Sequence, residues 1–565
     1  MPRRKYGHSE HAQIEAGLSS EGFGRGGAVG RDEWHAYARM PGWGGPMREL
    51  HHRSENGRVA ISNMWGLNQP VSINSACTRV FGVRAAIRER ARRANDCSIF
   101  RLAMAPVHSI AMVCDFFYPS MGGVENHIHQ LAQCLLRQGH KVVVITHKYG
   151  SRTGVRWLAG GLKVYHVPFA SVYDRCLLPT FVLFLPLLRD ILVRERISVV
   201  HTHAVCTMAF ESILLSALMG YRVVHTEHSN FGFSGLVDIH LNTLEQYVFA
   251  HADTVISVSH TSKENVALRC RLDPSEVYVI PNAVDASQFR PDPDNVRPSG
   301  TVNVVVMTRL VWRKGTHLLV QLVPEVCRRF PYVHFIIGGD GPKRNALEEM
   351  RERHHLQNRV ELLGAVPHTD VPSVLTRGHI FLNTSLTEAF CIAILEAVSC
   401  GLTVVSTRVG GVPEILPRHM LHLTEPEPAA LLDALSEVIP FARKKPCNVN
   451  FHRDIARMYS WMDVARRTTK VYDNVEQRPR PTLMQLFQRL TRLGPVAKPI
   501  AICMSAFQYL LLSLLRWCRP ADEIEVAPDF PTKLWAQRRV KYEPLPVGNR
   551  FMRTLGERRR YVMNG

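Results

Sequence analysis

The sequence predicts an α/β protein of two parallel-sheet domains in tandem, their sheets facing a shared cleft, with an apolar helix near the C-terminus. Three observations predict it. Short apolar runs alternate with amphipathic stretches from Ser109 to about Ala286, and the alternation restarts at Val302. A Pro- and Asp-rich stretch, "RPDPDNVRPSG", separates the two series. Finally, "PIAICMSAFQYLLLSLL", Pro499 to Leu515, carries no charge over 17 residues.

The elements follow in order. "SIAMVCDFFYP" reads as a buried strand, and a turn at Gly122 and Gly123 follows it. In "VENHIHQLAQCLLRQGH" the apolar residues recur at helical spacing, and Gly139 stops the helix. "KVVVITH" is the next strand. Strand, helix, strand in succession implies a right-handed crossover and a parallel sheet. "ISVVHTH", "YRVVHTEHS", "ADTVISVS" and "VYVIPNAV" continue the first series. "VNVVVMTRL", "VHFIIGGDGP", "RVELLGAV", "HIFLNTS" and "LTVVSTRVGG" form the second. One long helix, "FHRDIARMYSWMDVARRTTKVYDNV", comes next. The expected organisation is a disordered basic extension over 1–104, a first domain over 105–290 and a second over 300–445. A helix over 446–476, a basic linker over 477–498, a membrane helix over 499–517 and a tail over 518–565 complete the chain.

The chain has 565 residues, enough for two or three domains with real cores. Its formal net charge of +20 suggests an anionic partner: nucleic acid, a membrane surface or a phosphorylated substrate. The basic residues are dispersed with no aromatic-interleaved basic patch, so no nucleic acid is expected. The 13 cysteines show no C-x-x-C pair and read as reduced thiols on the cytosolic side of any membrane. The start of the chain has no apolar core of the signal-peptide kind. "RVFGVRAAIRERARRA" is either a basic amphipathic helix for anionic lipid or a solvated segment. The uncharged stretch is at the lower limit for a spanning helix, flanked by Lys498 and by Arg516 and Trp517. A buried core helix and an in-plane anchor are its other readings.

Several residues carry candidate chemistry. Gly122 and Gly123 join a strand to a helix, where backbone N–H groups approach an anion closely; such a pair also serves turn geometry alone. Arg309 and Lys314, in "TRLVWRKG", lie at the carboxyl edge of the second sheet and suit a diphosphate clamp, or are ordinary surface charge. In "SLTEAFCIAILEAVSCG", Glu388 and Glu396 stand eight residues apart in apolar company. On one helix they would be ~12 Å apart along it and ~80° apart around it. That spans a sugar ring, a diphosphate and a ribose. Glu388 would hold the sugar, Glu396 the ribose, and the N–H groups of Ala389, Phe390 and Cys391 the phosphates. The other reading pairs a buried Glu396 with an internal arginine. His225, Glu227 and His228 are expected at a strand end facing the cleft, with "HTH" at His201 to His203 a weaker case. Neither set has the spacing of a metal site.

Together these motifs resemble the PIG-A family, the catalytic subunits of phosphatidylinositol N-acetylglucosaminyltransferase. The resembling stretches include "DFFYPSMGGVENHIHQLAQCLLRQGH", "TEHSNFGF", "VIPNAVD", "RLVWRKG", "FIIGGDGPKR", "HIFLNTSLTEAFCIAILEAVSCG" and "LRWCRPADEIEVAPDF". The resemblance covers residues ~107 to ~530 and includes the segment after the uncharged stretch. It implies a GT-B fold, with the helix near 450–475 packing back on the first domain. It implies transfer of GlcNAc from UDP-GlcNAc to phosphatidylinositol with retention, without metal or cofactor, as the first step of GPI anchor synthesis. The setting it implies is a multisubunit complex in the endoplasmic reticulum membrane, with the catalytic domains cytosolic. By matching position, Gly122, Gly123, Arg309 and Lys314 attend the diphosphate, Glu388 the donor sugar and Glu396 the ribose, with His228 near the reacting centre. Where related enzymes have glycine beside the first glutamate, this chain reads "EAFC". The rival readings are a sugar transferase with another donor or lipid acceptor, a non-catalytic binding protein, and a soluble enzyme whose C-terminal helix is buried.

Overall fold

The computed structural model describes residues 108–120, 122–172, 176–180, 182–233, 235–292, 300–444 and 449–529. The expected extension over 1–104, the segment "RVFGVRAAIRERARRA" and the tail beyond 529 lie outside the described residues. The first lobe is one eight-stranded sheet. Its strands are β1 (Ser109–Val113), β2 (Lys141–Lys148), β3 (Gly154–Leu158), β4 (Leu162–Ala170), β5 (Val199–His203), β6 (Arg222–Glu227), β7 (Thr254–Ser257) and β8 (Val277–Val279). They lie in the order β3-β4-β2-β1-β5-β6-β7-β8. All neighbours are parallel except β3 and β4, a hairpin that the strand–helix alternation does not predict.

Period-two side-chain alternation gives this sheet two cores. Ala111, Val113, Val143 and Ile145 pack on one face, and Ile110, Met112, Val142 and Val144 on the other. Strands buried on both faces read as continuous apolar runs, which is why β1 and β2 are visible in the sequence. The second lobe is a six-stranded parallel sheet of β9 (Val302–Met307), β10 (Val333–Gly338), β11 (Val360–Gly364), β12 (Ile380–Asn383), β13 (Thr403–Thr407) and β14 (Leu421–Thr424). Its order is β11-β10-β9-β12-β13-β14. Strand order reverses beside β1 in the first sheet and between β9 and β12 in the second. Ligands bind outside the carboxyl ends of strands at such points.

The chain passes between lobes at places the sequence does not mark. Ile280 and Ala283 pack in the first lobe, whereas Val284 and Phe289 are buried in the second. The Pro- and Asp-rich stretch therefore follows the crossing instead of forming it. The expected single helix near 450–475 is two helices, Val449–Met458 and Trp461–Gln477, broken where Ser460 turns extended. Phe451 and Ile455 of the former pack in the second lobe. Trp461, Val464, Ala465, Val471, Tyr472 and Val475 of the latter pack in the first. Tyr459, at the break, donates its hydroxyl to the Ile415 carbonyl oxygen at 2.5 Å.

The uncharged stretch forms the helix Ala497–Cys518, long and apolar enough to cross a membrane. One face lies on the first lobe: Ala501, Ser505 and Leu512 are buried there, and Ser505 Oγ meets the Tyr247 hydroxyl at 3.0 Å. Arg516 donates to the Met219 carbonyl at 3.2 Å. Ile500, Met504, Phe507, Leu510, Leu514 and Trp517 are exposed along the other face. The helix is thus neither buried nor detached from the first lobe.

Candidate active site

The carboxyl ends of β9 and β12 bring the predicted residues of the second lobe together. After β9 the chain turns through Trp312–Lys314 to Gly315, which has φ +69°. A Cβ at Gly315 would stand 1.8 Å from the Thr384 carbonyl oxygen, so only glycine fits. This close approach is reinforced on both sides. Leu386 N–H donates to the Arg313 carbonyl at 2.9 Å, and Thr384 Oγ1 to the Lys314 carbonyl at 3.0 Å. The two loops thereby set Lys314 Nζ 2.5 Å from Glu388 Oε1. Ser385 Oγ donates to the same carboxylate oxygen at 2.8 Å. Arg309 follows β9, is exposed and makes no side-chain ion pair among the described residues.

Glu388 and Glu396 do not share a helix, as their spacing led us to expect. The helix runs Ile392–Ser399, and Cys391 is its extended N-cap. The backbone before it is spent on other contacts: the Glu388 carbonyl accepts from Gly411 N–H at 3.0 Å and Asn230 Nδ2 at 3.1 Å. Gly410, at φ +48°, permits that approach, because a Cβ there would meet the same carbonyl oxygen at 2.0 Å. The N–H groups of Ala389, Phe390 and Cys391 take no protein acceptor among the described residues. Three successive N–H groups without a protein acceptor before a helix start leave donors that an anion can take.

The first lobe meets this place with its glycine turn. Gly122 caps the helix Gly123–Arg137 with extended backbone, and a Cβ on Gly123 would lie 3.9 Å from Ile392 Cδ1. Neither glycine is required by a positive φ. The first-turn carboxylate of Glu125 folds over Gly122 and accepts from Ser120 Oγ at 2.9 Å. An acidic group therefore already occupies part of that helix end. The lobes are also latched by Glu414, whose carboxylate accepts from His260 N–H at 2.6 Å and Thr261 N–H at 2.8 Å, at the start of the helix His260–Cys270.

Glu396 is buried and paired, and its partner is His368 rather than an arginine: His368 Nε2 lies 3.1 Å from Glu396 Oε1. This contact raises the His368 pKa above its ordinary value, against the opposing effect of burial. Sequence reasoning missed His368, since a lone histidine in "VPHTD" carries no periodic or motif signal. A raised histidine pKa stabilises the fold below the unfolded value of ~6.5, and the gain is lost as pH rises through the folded value. His368→Gln is expected to lower Tm at about pH 6 and to match the parent by about pH 9, in thermal melts across that range. A constant difference would contradict the pairing.

The histidines are also placed differently from expectation. His225 and Glu227 are fully buried, His225 against Phe249 and Glu227 near Arg269, and neither faces the cleft. His201 is buried between Tyr472 (2.6 Å) and Thr226 (2.7 Å). His228 is half-buried and stands with His127 and His203, their ligand atoms all within 4.8 Å of one another. The three come from the helix after β1, the end of β5 and the residue after β6. No spacing in the sequence marks the group, because only the parallel sheet brings these ends together. Burial lowers the pKa of His127 to about 4 and those of His203 and His228 well below the ordinary value, so all three are neutral at pH 7.

Comparison with known proteins gives the family and the fold. Residues 147–235 match the family model "PIGA (GPI anchor biosynthesis)", and residues 290–441 match "Glycosyl transferases group 1". The chain is 50% identical to a phosphatidylinositol N-acetylglucosaminyltransferase subunit of Arabidopsis thaliana over 76% of this chain and 96% of that one. It is 48% identical to the Homo sapiens protein of the same name, over 75% and 88%. It is 43% identical to the GPI3 subunit of the Saccharomyces cerevisiae transferase, over 75% and 97%. Among solved structures it resembles sucrose-phosphate synthase of Thermosynechococcus elongatus, with TM-score 0.55 and 18% identity over 65% of this chain and 99% of that one. It also resembles Anabaena HepE in complex with UDP-glucose, with TM-score 0.52 and 18% identity over 65% and 100%. The fold is GT-B, and the chain, a glycosyltransferase of GPI anchor biosynthesis, belongs to the PIGA family of phosphatidylinositol N-acetylglucosaminyltransferase subunits.

Proposed function

We propose that the chain transfers GlcNAc from UDP-GlcNAc to phosphatidylinositol with retention at the anomeric carbon. The observation that carries this reading is the convergence of Lys314, Glu388 and the N–H groups of Ala389 to Cys391 where the two lobes meet. As the glycosidic bond breaks, negative charge builds on the β-phosphate of UDP. Lys314 and the three N–H groups supply fixed positive potential there, and exposed Arg309 is free to swing onto the phosphates. Preorganised donors of this kind are commonly the largest catalytic term, ~3–4 kcal/mol for one donor. Glu388, held by Lys314 and Ser385, accepts from sugar hydroxyls. Glu396 accepts from the ribose and shares its charge with His368. Gly122 and Gly123 close the diphosphate side, and His228 borders the reacting centre.

A lipid acceptor accounts for the C-terminal helix. Its exposed apolar face sets the first lobe against a bilayer, in this reading the cytosolic face of the endoplasmic reticulum, where the other subunits of the complex assemble with it. That the relatives are named as subunits supports such partners. The test is transfer into phosphatidylinositol in membranes carrying the full chain, with labelled UDP-GlcNAc beside labelled GDP-mannose. GlcNAc-phosphatidylinositol is the expected product, and Glu396→Ala raises KM for the donor. Mannolipid instead would assign another donor to the same fold.

A further inference from the structure

The cluster of His127, His203 and His228 goes beyond what glycosyl transfer by the second-lobe residues requires. His127 Nδ1 lies 2.6 Å from Asn282 Oδ1, which can only accept, so the His127 proton is on Nδ1 and its Nε2 carries a lone pair. That Nε2 is buried and has no hydrogen-bond partner. His203 is also fully buried, and its Nδ1 lies 3.4 Å from His228 Nε2. An orphaned imidazole nitrogen in a dry interior is costly, and a fold retains it where something completes the site.

The geometry suits a metal ion. Ligand atoms of the three lie within 4.8 Å of one another, and the His203–His228 edge is 3.4 Å. A tetrahedral zinc site with Zn–N bonds of ~2.0–2.1 Å has ligand–ligand edges of ~3.4 Å. The second shell has the expected form too: a side-chain carbonyl fixes the His127 tautomer from behind, as in established histidine–metal sites. The edge of Trp461 packs on His127 with ring centroids 5.3 Å apart, and His201 lies against His203 at 4.1 Å, so the closed side of the site is walled by rings. The open side is at half-buried His228, two residues before Asn230, whose amide reaches the Glu388 carbonyl of the other lobe.

We propose that His127, His203 and His228 form a three-imidazole site for a divalent transition-metal ion of the zinc class, with a fourth position open toward the cleft. Three neutral imidazoles and a vacant position are the donor set such ions take with a water or a ligand oxygen as fourth partner. The ion would tie the helix after β1 to the ends of β5 and β6.

The test reads metal, not sugar transfer. Full-length protein in detergent is stripped with chelator, desalted and titrated with Zn2+ against a chromophoric competitor, and in parallel with Co2+. The expected result is one Zn2+ per chain, with Co2+ giving the intense visible bands of four-coordination. His228→Gln, at the half-exposed member, abolishes the Co2+ bands, and Asn282→Leu weakens Zn2+ binding by about 10–100-fold through the lost second-shell contact. Wild-type protein that binds Zn2+ only substoichiometrically, or without four-coordinate Co2+ bands, overturns the proposal. So does His228→Gln that keeps full stoichiometry and the same bands, which would place the ion elsewhere.

Discussion

Lys314→Ala lowers turnover by about 10²-fold or more without lowering Tm. The ammonium faces the Glu388 carboxylate at 2.5 Å, beside the three N–H groups that take no protein acceptor. Its removal takes the fixed cation from the place where leaving-group charge develops. The lost stabilisation belongs to the transition state, so kcat falls more than donor affinity. Stability is spared because the lysine is a partly exposed tip on a loop held by Leu386 N–H and Thr384 Oγ1, and Ser385 Oγ still donates to the Glu388 carboxylate. Steady-state transfer assays with thermal melts on the same preparations check both halves. A variant that folds normally and turns over at near parental rate would remove Lys314 from the phosphate site.

Gly315→Ala, one residue on, fails in a different way: both Tm and turnover fall. The new methyl would stand 1.8 Å from a backbone oxygen, and the residue would keep a left-handed conformation. Left-handed backbone alone costs ~1–3 kcal/mol for a side-chain-bearing residue. A loss of ~1 kcal/mol lowers Tm by ~2–4 °C in a domain of ~150–250 residues. Relief requires the Lys314 loop to move off the Thr384–Glu388 loop, which withdraws the cation from its carboxylate. Comparing the two variants separates a charge effect from a placement effect. Unchanged Tm and turnover in Gly315→Ala would mean the two loops yield freely.

How much of this was legible in the sequence depended on whether the signal was local. The parallel strands were legible because β1, β2, β9 and β12 are buried on both sides and read as unbroken apolar runs. Lys314 and Glu388 were legible singly, as candidates at strand ends, but their ion pair was not, because it joins loops 74 residues apart. The start of the helix at Ile392 was not, since the four preceding residues have helical composition and are held off the helix by Gly411 and Asn230, both distant in sequence. The break at Ser460 was hidden for a similar reason. Apolar spacing continues across it, and the Tyr459 anchor lies on another element. His368 and the His127–His203–His228 group have no local signature at all. Their neighbours are set by tertiary contacts 28 to 155 residues away.

The chain's double passage between the lobes has a mechanical result. It goes over once at Ala283–Val284 and returns at Tyr459–Ser460. Two pivots define a line, so relative motion reduces to a swing about one axis, as in a door hung on a pair of hinges. Points far from that axis travel most, while groups beside it stay in register through each opening and closing.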